Sequence, residues 1–236
     1  MRGMKTGERL ITLRDSHIRS ALLQELRFLF PHKDNDLILQ EFRCDAARID
    51  VAVVNGALHG FEIKSDCDSL DRLSTQIGAY GKIFDFVTLV VGRKLLDYAK
   101  MEIPKWWGVT LAIGVDSGVT LRRIRGPKEN PVKDAAALAR MLWKDEALRC
   151  LRRFGYRTVT SRSRATEVWE EASRLLDIDT LAEEARNTIR ARGGSGFPKQ
   201  PSRYDDSCST ESIALRSHWS ANLEWLLSQR SANRLD

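Results

Sequence analysis

Residues 47–64, ARIDVAVVNGALHGFEIK, contain two runs rich in β-branched and apolar residues on either side of Asn55-Gly56. An Asn-Gly pair between two such runs is the strongest short-range signal for a β-hairpin. If the turn is centred on Gly56, Asp50 lies directly opposite Glu62, with the two Cβ atoms about 5 Å apart. The hairpin therefore predicts two carboxylates side by side on neighbouring strands.

Side chains alternate between the two faces of a strand, so Glu62 and Lys64 are expected on one face, and Asp50 on a face with Ala52 and Val54. Two adjacent carboxylates repel each other unless a cation lies between them. A hard divalent ion is the natural occupant, and a nearby lysine can orient or deprotonate a water on it. The alternative is an ordinary salt-bridged surface of a hairpin.

Hydrophobic periodicity predicts the other elements. The predicted helices are 17–30, with Asp15 as N-cap, 68–84 and 94–101, followed by helical spacing from 134 to about 190. The other predicted strands are 37–42, 86–91, 107–113 and 119–124. This order predicts an α/β fold with a mixed central sheet flanked by helices and a helical C-terminal extension.

The chain divides into four predicted parts. They are a core over 1–125, a basic helical extension over 126–191, a Gly/Pro/Ser-rich flexible linker over 192–209, and an amphipathic helix over 210–236. The last part carries a helical stripe of Leu215, Trp219, Leu223 and Leu226. Because an isolated helix of this length is marginal in water, the stripe predicts burial on its own domain, on a second copy or on a partner protein, most simply in a homodimer.

Composition limits the class of protein. Of 236 residues, 42% are hydrophobic and 30% are charged, as in ordinary globular proteins. No apolar run approaches the roughly 20 residues of a membrane helix, and the first residues lack a secretory signal, which predicts a cytoplasmic protein. The four cysteines are scattered without a CxxC pair, which favours reduced thiols over a zinc site.

The net charge of +6 is unevenly placed. Residues 122–164 contain 13 Lys and Arg against 4 Asp and Glu. A basic segment of this kind is typical of contact with the phosphate backbone, which makes Arg149, Arg152 and Arg153 candidates for nucleic-acid binding. The alternative is a set of solvated helix faces.

The string from Ala47 to Lys64, with ExK on the second strand of a hairpin, resembles the signature of the PD-(D/E)XK phosphodiesterase superfamily, which includes restriction enzymes and repair nucleases. The run from Ala47 to Gly92, with Gln76 and Tyr80, and the later WWGV at 106–109 are similar to a poorly characterised bacterial group within it. The resemblance implies a restriction-endonuclease-like core and a metal-dependent nuclease, most simply a deoxyribonuclease.

The resemblance also implies roles for individual residues. Asp50 and Glu62 would ligate Mg²⁺ or Mn²⁺ together with the carbonyl of Ile63. Lys64 would activate water or stabilise the transition state. Gln76 and Tyr80 match a position used near the scissile phosphate in some branches; the alternative for both is helix packing.

Many members of the superfamily have a further upstream glutamate. Glu41 at the end of the first predicted strand is preferred here to Glu25 on the first helix. Arg48 is expected to touch phosphate, or else to pair with Glu41 or Asp50. His59 is expected to be a turn residue. The alternative function is a non-cleaving nucleic-acid-binding or assembly module that acts with a partner protein.

Overall fold

A computed structural model describes residues 10–30, 36–44, 47–116 and 118–193 of the chain. The predicted final helix and all of the predicted linker beyond residue 193 lie outside these ranges. In the part that is described, no helix is long and apolar enough to cross a membrane.

The centre of the fold is a mixed sheet of seven strands. The strands are β1 Leu10–Ile11, β2 Leu37–Cys44, β3 Ala47–Val54, β4 Leu58–Lys64, β5 Phe86–Gly92, β6 Gly108–Val115 and β7 Gly118–Arg125. β2, β3 and β4 form an antiparallel meander, and β5 and β6 continue from β4 in parallel. β1 and β7 both pair with β6 in antiparallel orientation. The predicted mixed α/β architecture is confirmed; β1 was not predicted, because two residues are too few to show a period.

The β3–β4 hairpin has the predicted register. Val54 pairs with Leu58 and Val51 pairs with Phe61, so the turn is centred on Gly56. Gly56 has a φ of 106°, a conformation that only glycine adopts without strain. The turn chemistry thereby fixes which residues of the two strands face each other.

Seven helices are found in the described residues. They are α1 Asp15–Leu29, α2 Leu73–Gly81, α3 Leu96–Glu102, α4 Ala135–Met141, α5 Lys144–Arg153, α6 Ala165–Leu175 and α7 Ile178–Ala191. The prediction of α2 from residue 68 was wrong at its start. The Asp68 carboxylate accepts hydrogen bonds from the backbone N–H and the hydroxyl of Ser65, at 2.7 and 2.6 Å. This local turn occupies the chain before the helix can begin.

The predicted N-cap of α1 was also wrong. Arg14 is the N-cap residue and Asp15 lies inside the first turn. The Asp15 carboxylate instead accepts two hydrogen bonds from Arg19, at 2.9 and 3.0 Å. A partner four residues further on, on the same helix face, has taken the side chain that capping would need.

Hydrophobic cores lie on both faces of the sheet. On one face α1 packs with Leu22 and Leu26 against Val51 and Val53. On the other face one continuous core joins Ala52 and the rest of that sheet face to α2 and to helices α4 to α7. The helical extension therefore shares a core with the sheet.

The helical extension is joined to one end of the sheet by Asp85, which directly precedes β5. Its carboxylate is buried and accepts from the Leu58 N–H at 2.8 Å, from Lys133 at 2.9 Å and from Arg186 at 3.0 Å. Because β4 and β5 are parallel, Asp85 lies at the end of the sheet opposite Lys64. The two ends of the sheet therefore carry different groups.

Candidate functional site

Asp50 lies where the hydrogen-bond ladder is interrupted on both sides of β3. On the β2 side, pairing skips Asp50 and the facing Glu41. On the β4 side, pairing stops one residue short of Asp50, at Val51 and Phe61. In place of a ladder bond, the Ile63 N–H donates to Oδ2 of Asp50 at 2.7 Å. The carboxylate is thus fixed directly to the second strand of the hairpin.

The face predicted for Asp50 was wrong. Ile49 packs in the same core as Ala52 and Val54, whereas Val51 and Val53 belong to the core on the α1 side. Strict alternation is therefore broken between Ile49 and Val51. Asp50 turns towards α1 at this break.

Arg19 of α1 is the cation that contacts Asp50. Its Nη2 lies 2.7 Å from Asp50 Oδ1, and its Nη1 donates to the Asp50 carbonyl oxygen at 3.1 Å. The same guanidinium binds both oxygens of Asp15 and lies 3.0 Å from Glu41 Oε1. Burial lowers the pKa of Arg19, but its bonds and charge interactions with Asp15 and Asp50 outweigh burial and raise the pKa above its ordinary value. Arg19 is therefore a permanent charge within the site.

Glu41 is strained and forms part of this network. Its φ of 54° lies in the left-handed region, which is uncommon for a residue with a side chain. One carboxylate oxygen contacts Arg19 and the other lies 2.7 Å from Nε of Arg48. Glu25, the alternative upstream glutamate, is half-buried, and its carboxyl has no hydrogen-bond partner among the described residues; burial raises its pKa to about 8. Glu41 is the upstream glutamate that the structure brings to Asp50.

Glu62 is buried and surrounded by polar side chains from β4 and α2. Oε1 accepts from Lys64 at 3.0 Å and from Gln76 at 2.5 Å, and Oε2 accepts from the Tyr80 hydroxyl at 2.7 Å. The pKa of Glu62 is raised to about 7, chiefly by burial and also by the charge of Asp50, while Lys64 and Tyr80 oppose the shift. Burial also raises the pKa of Asp50, and Arg19 opposes that shift.

Gln76 has one amide atom without a partner. Its Nε2 donates to Glu62, but its Oε1 is buried and has no donor among the described residues. Turning the amide over would place Oε1 against the ionised Glu62 carboxylate and leave Nε2 unpaired instead. A buried acceptor without a donor is rare in folded proteins, and a cation or another donor bound beside Glu62 would satisfy it.

The site holds one more carboxyl than cation. The carboxyls are Asp15, Glu41, Asp50 and Glu62, and the cations are Arg19, Arg48 and Lys64. Its oxygen donors, the excess carboxyl and the unpaired amide oxygen suit a hard divalent ion. Even so, no group of three or more His, Cys, Asp or Glu side chains in the described ranges is already arranged around a metal position. The chemical types of these donors therefore fit a divalent metal. Arg19 contacts one of the two carboxylate oxygens of Asp50.

The loop after β4 is fixed by Asp66, which the sequence did not single out. Oδ2 of Asp66 accepts from the Leu13 N–H and Oδ1 accepts from the Lys94 N–H, both at 3.0 Å. A Cβ on Gly92 would lie 2.5 Å from Oδ1 of Asp66, so glycine is required for this approach. These bonds hold the segment that follows Lys64 against the entry to α1 and the start of the β5–α3 loop.

His59 is a core residue of β4, and the prediction of a turn residue was wrong. It is 5% exposed, stacks on Phe61 with ring centroids 4.2 Å apart, and lies 2.9 Å from the Thr88 hydroxyl. Burial lowers its pKa to about 3. A strand that is buried on both faces, as β4 is, is expected to be apolar throughout. In the sequence, a polar residue such as His59 therefore suggests that the strand has ended.

The predicted arginines of α5 are not part of this site. Arg149, Arg152 and Arg153 are exposed, and Arg153 pairs with Glu184 of α7. From residue 149 to 164 the chain has six arginines and no Asp or Glu. Five of them are exposed and have no carboxylate partner among the described residues: Arg149, Arg152, Arg157, Arg162 and Arg164. They form a basic surface on the helical extension.

The structure brings seven of the predicted residues into one network: Glu41, Arg48, Asp50, Glu62, Lys64, Gln76 and Tyr80. Ile63 joins it through its N–H. Arg19 was missed by sequence reasoning. Its spacing of four residues from Asp15 was visible, but that spacing predicts only a surface pair on a helix.

Comparison with known proteins gives a relative, a solved structure and a family. Over 117 residues the chain is 30% identical to protein cII of Enterobacteria phage P4, and the match covers 48% of this chain and 43% of that protein. A solved structure of a protein of unknown function from Silicibacter pomeroyi is 14% identical with a TM-score of 0.36, covering 79% of this chain and 97% of that one. The family described as bacteriophage P4 protein cII matches residues 9–195. Since that match spans most of its length, the chain belongs to the bacteriophage P4 protein cII family.

Proposed function

We propose that this chain is a metal-dependent phosphodiesterase of the PD-(D/E)XK kind that cleaves nucleic acid, most simply DNA. The observation that carries the proposal is that Asp50 is bonded to the Ile63 N–H, next to Glu62 in the chain, while Glu62 is bonded to Lys64 and lies beside the unpaired Gln76 oxygen. The order α1–β2–β3–β4–α2–β5 also agrees with the restriction-endonuclease-like core that the resemblance implies. Fold order alone does not fix a function.

In this proposal Asp50, Glu62 and the Ile63 carbonyl would hold Mg²⁺ or Mn²⁺. The bound ion would supply Lewis-acid activation of the phosphate and of a water molecule. Ile63 orients the Asp50 carboxylate through its N–H, and Tyr80 and Gln76 orient Glu62. Such preorganised contacts keep both carboxylates in place without reorganisation during the reaction.

In this proposal Lys64 would act on the attacking water or on the reacting phosphate. Its amine is buried and lies 3.0 Å from Glu62 Oε1, so it stays beside the proposed ligand. As an ammonium it stabilises negative charge that develops on the phosphate, and as an amine it accepts a proton from water. Either role requires the reacting phosphate to reach the same end of the sheet.

The basic surface of the helical extension is the proposed contact with the nucleic-acid backbone. Exposed guanidinium groups without carboxylate partners bind phosphate without regard to base sequence. Arg48 at the edge of the site is a further candidate, although its Nε is bonded to Glu41.

One observation favours a second candidate, a nucleic-acid-binding module that does not cleave. The charges of Asp50 and Glu62 are already partly balanced by Arg19 and Lys64, so stability of the fold does not demand a metal. The two candidates separate in one experiment. The purified full chain is incubated with plasmid, linear duplex, single-stranded DNA and RNA, each with Mg²⁺, Mn²⁺ or EDTA. Cleavage that needs metal and is lost in Glu62→Gln supports the enzyme; binding to the same substrates without cleavage supports the module.

A further inference from the structure

Arg19 is a buried charge that gathers three carboxylates from three different elements. It is 6% exposed and contacts Asp15 of α1, Glu41 of β2 and Asp50 of β3. A buried arginine with such partners is too costly to keep as an incidental surface pair. These carboxylates repel one another, and the charge of Arg19 lies where another cation would otherwise be needed between them.

The strain at Glu41 points to the same position. Its left-handed backbone interrupts the ladder beside Asp50. Residues held in such conformations cluster at functional sites, where the surrounding contacts maintain them. Here the maintaining contacts are the two ion pairs of Glu41, with Arg19 and with Arg48.

We propose that Arg19 is an internal counter-ion of Asp50, and that a divalent cation binds at Asp50 and Glu62 by displacing Arg19 from Oδ1 of Asp50. This inference rests on the proposed assignment of Asp50 and Glu62 as metal ligands. It adds a competition between a side chain of the protein and the metal for one carboxylate oxygen.

Displacement does not leave Arg19 unpaired. Its Nε and Nη2 contact Asp15, and its Nη1 contacts Glu41, so these partners remain when Asp50 is released. The side chains of Asp15 and Glu41 are 30% and 38% exposed, so the displaced guanidinium would be paired with partly hydrated carboxylates. Displacement by the metal therefore removes part of the contact between Arg19 and Asp50, but it does not leave Arg19 as an isolated buried charge.

The test is calorimetric titration of the full chain with Mn²⁺, together with thermal unfolding with and without Mn²⁺. Arg19→Gln removes the competing charge and should bind Mn²⁺ at least about tenfold more tightly than wild type, because a unit charge this close repels a cation strongly. Without metal the same variant should unfold at a lower temperature than wild type, and Mn²⁺ should raise its unfolding temperature by more. Arg48→Gln is the matched control: it also removes a partner of Glu41, but its side chain is 48% exposed and screened by solvent.

The inference is overturned if Arg19→Gln binds Mn²⁺ no more tightly than wild type, if Arg48→Gln gains as much, or if none of the proteins binds Mn²⁺. If Arg19→Gln does not fold, Arg19→Lys replaces it. A lysine keeps the charge but cannot hold Asp15 and Asp50 with one planar fork, so it should also bind Mn²⁺ more tightly than wild type; equal or weaker binding overturns the inference. A gain in Mn²⁺ affinity without any cleavage would reject the proposed enzyme and leave the competition between Arg19 and the metal intact. Cleavage without the gain would reject the competition and leave the proposed enzyme intact.

Discussion

The Tyr80 hydroxyl lies 2.7 Å from Glu62 Oε2 and 2.9 Å from the carbonyl oxygen of Arg48. A phenol has one proton to donate, so it cannot serve both acceptors fully while Glu62 is ionised. When Glu62 is protonated, its own O–H can donate to the Tyr80 oxygen, and Tyr80 then donates to Arg48. The pKa of Glu62, raised to about 7 chiefly by burial, makes both arrangements accessible near neutral pH.

Tyr80→Phe should raise the pKa of Glu62 in the metal-free protein, because the hydroxyl that stabilises the carboxylate is lost. The measurement is a carboxyl titration by NMR in EDTA. Tyr98→Phe, on the exposed face of α3, is the matched control and should leave the titration of Glu62 unchanged. A Glu62 pKa that stays the same or falls in Tyr80→Phe would show that the hydroxyl serves the Arg48 carbonyl alone.

Glu62→Gln and Asp50→Asn should each reduce cleavage by at least roughly a hundredfold. Loss of a residue that only hydrogen-bonds to a metal ligand can cost that much activity, and loss of a proposed ligand should cost no less. Both changes preserve shape and remove one charge, so nucleic-acid affinity should change little. The assay is plasmid cleavage with Mg²⁺ or Mn²⁺, with binding measured in EDTA. Glu170→Gln, an exposed change on α6, controls for loss of charge. Wild-type cleavage rates in either site variant would reject the assignment.

Lys64→Ala should lose most cleavage activity yet still bind metal, because the role proposed for the amine is in the reaction and not as a ligand. It should also unfold at a lower temperature without metal, since Glu62 then loses a buried ionic partner. Calorimetry with Mn²⁺ checks the first expectation and thermal unfolding the second. Absence of metal binding in a folded Lys64→Ala protein would contradict the proposed role.

Replacing Arg149, Arg152 and Arg157 by Gln should weaken binding to all nucleic-acid sequences alike. Each lost phosphate contact should reduce the slope of log affinity against log salt by about 0.9 on duplex DNA. Fluorescence anisotropy at several salt concentrations gives the slope. Arg174→Gln is the control, since Arg174 is exposed but already paired with Glu171. An unchanged slope in the triple variant would place the substrate on another surface.

His59 should make the fold sensitive to acid. Its pKa falls from 6.5 to about 3 on folding, so between these values the unfolded chain binds a proton that the folded chain does not. Stability therefore falls as pH decreases through this window, by about 1.4 kcal/mol per pH unit from this group. His59→Gln should reduce the pH dependence of urea unfolding between pH 6 and 4 by about one proton. An equal pH dependence of unfolding in wild type and His59→Gln would contradict this expectation. His17→Gln, a change at an exposed histidine, is the control.

The sequence predicted the hairpin well because its signals are local. Asn55-Gly56 sets the turn, and the turn fixes the register of the strands from Val54 and Leu58 as far as Val51 and Phe61. The place of Lys64 beside Glu62 follows from strand alternation, whereas the resemblance singled out Gln76 and Tyr80, whose spacing of four residues puts them on one helix face. These are relationships that neighbouring residues determine without help from distant parts of the chain.

The misses arise where a distant partner overrides a local preference. Arg19 and Asp50 are 31 residues apart, and no spacing rule relates a helix position to a strand position at that distance. That pairing also explains two other errors. Asp15 does not cap its helix because it holds Arg19, and Asp50 leaves its predicted face because Arg19 lies on the other side.

Asp85 fastens the helical extension to the end of the sheet that lies away from Asp50 and Glu62. Leu58, which donates to Asp85, lies four residues before Glu62 on β4, so this anchor and the buried carboxylate are about 13 Å apart along the sheet. On the proposed function, the sheet therefore fixes the spacing between the extension that contacts the phosphate backbone and the site that cuts it. Cleavage should then fall at a constant distance from the bound stretch of backbone, whatever the base sequence.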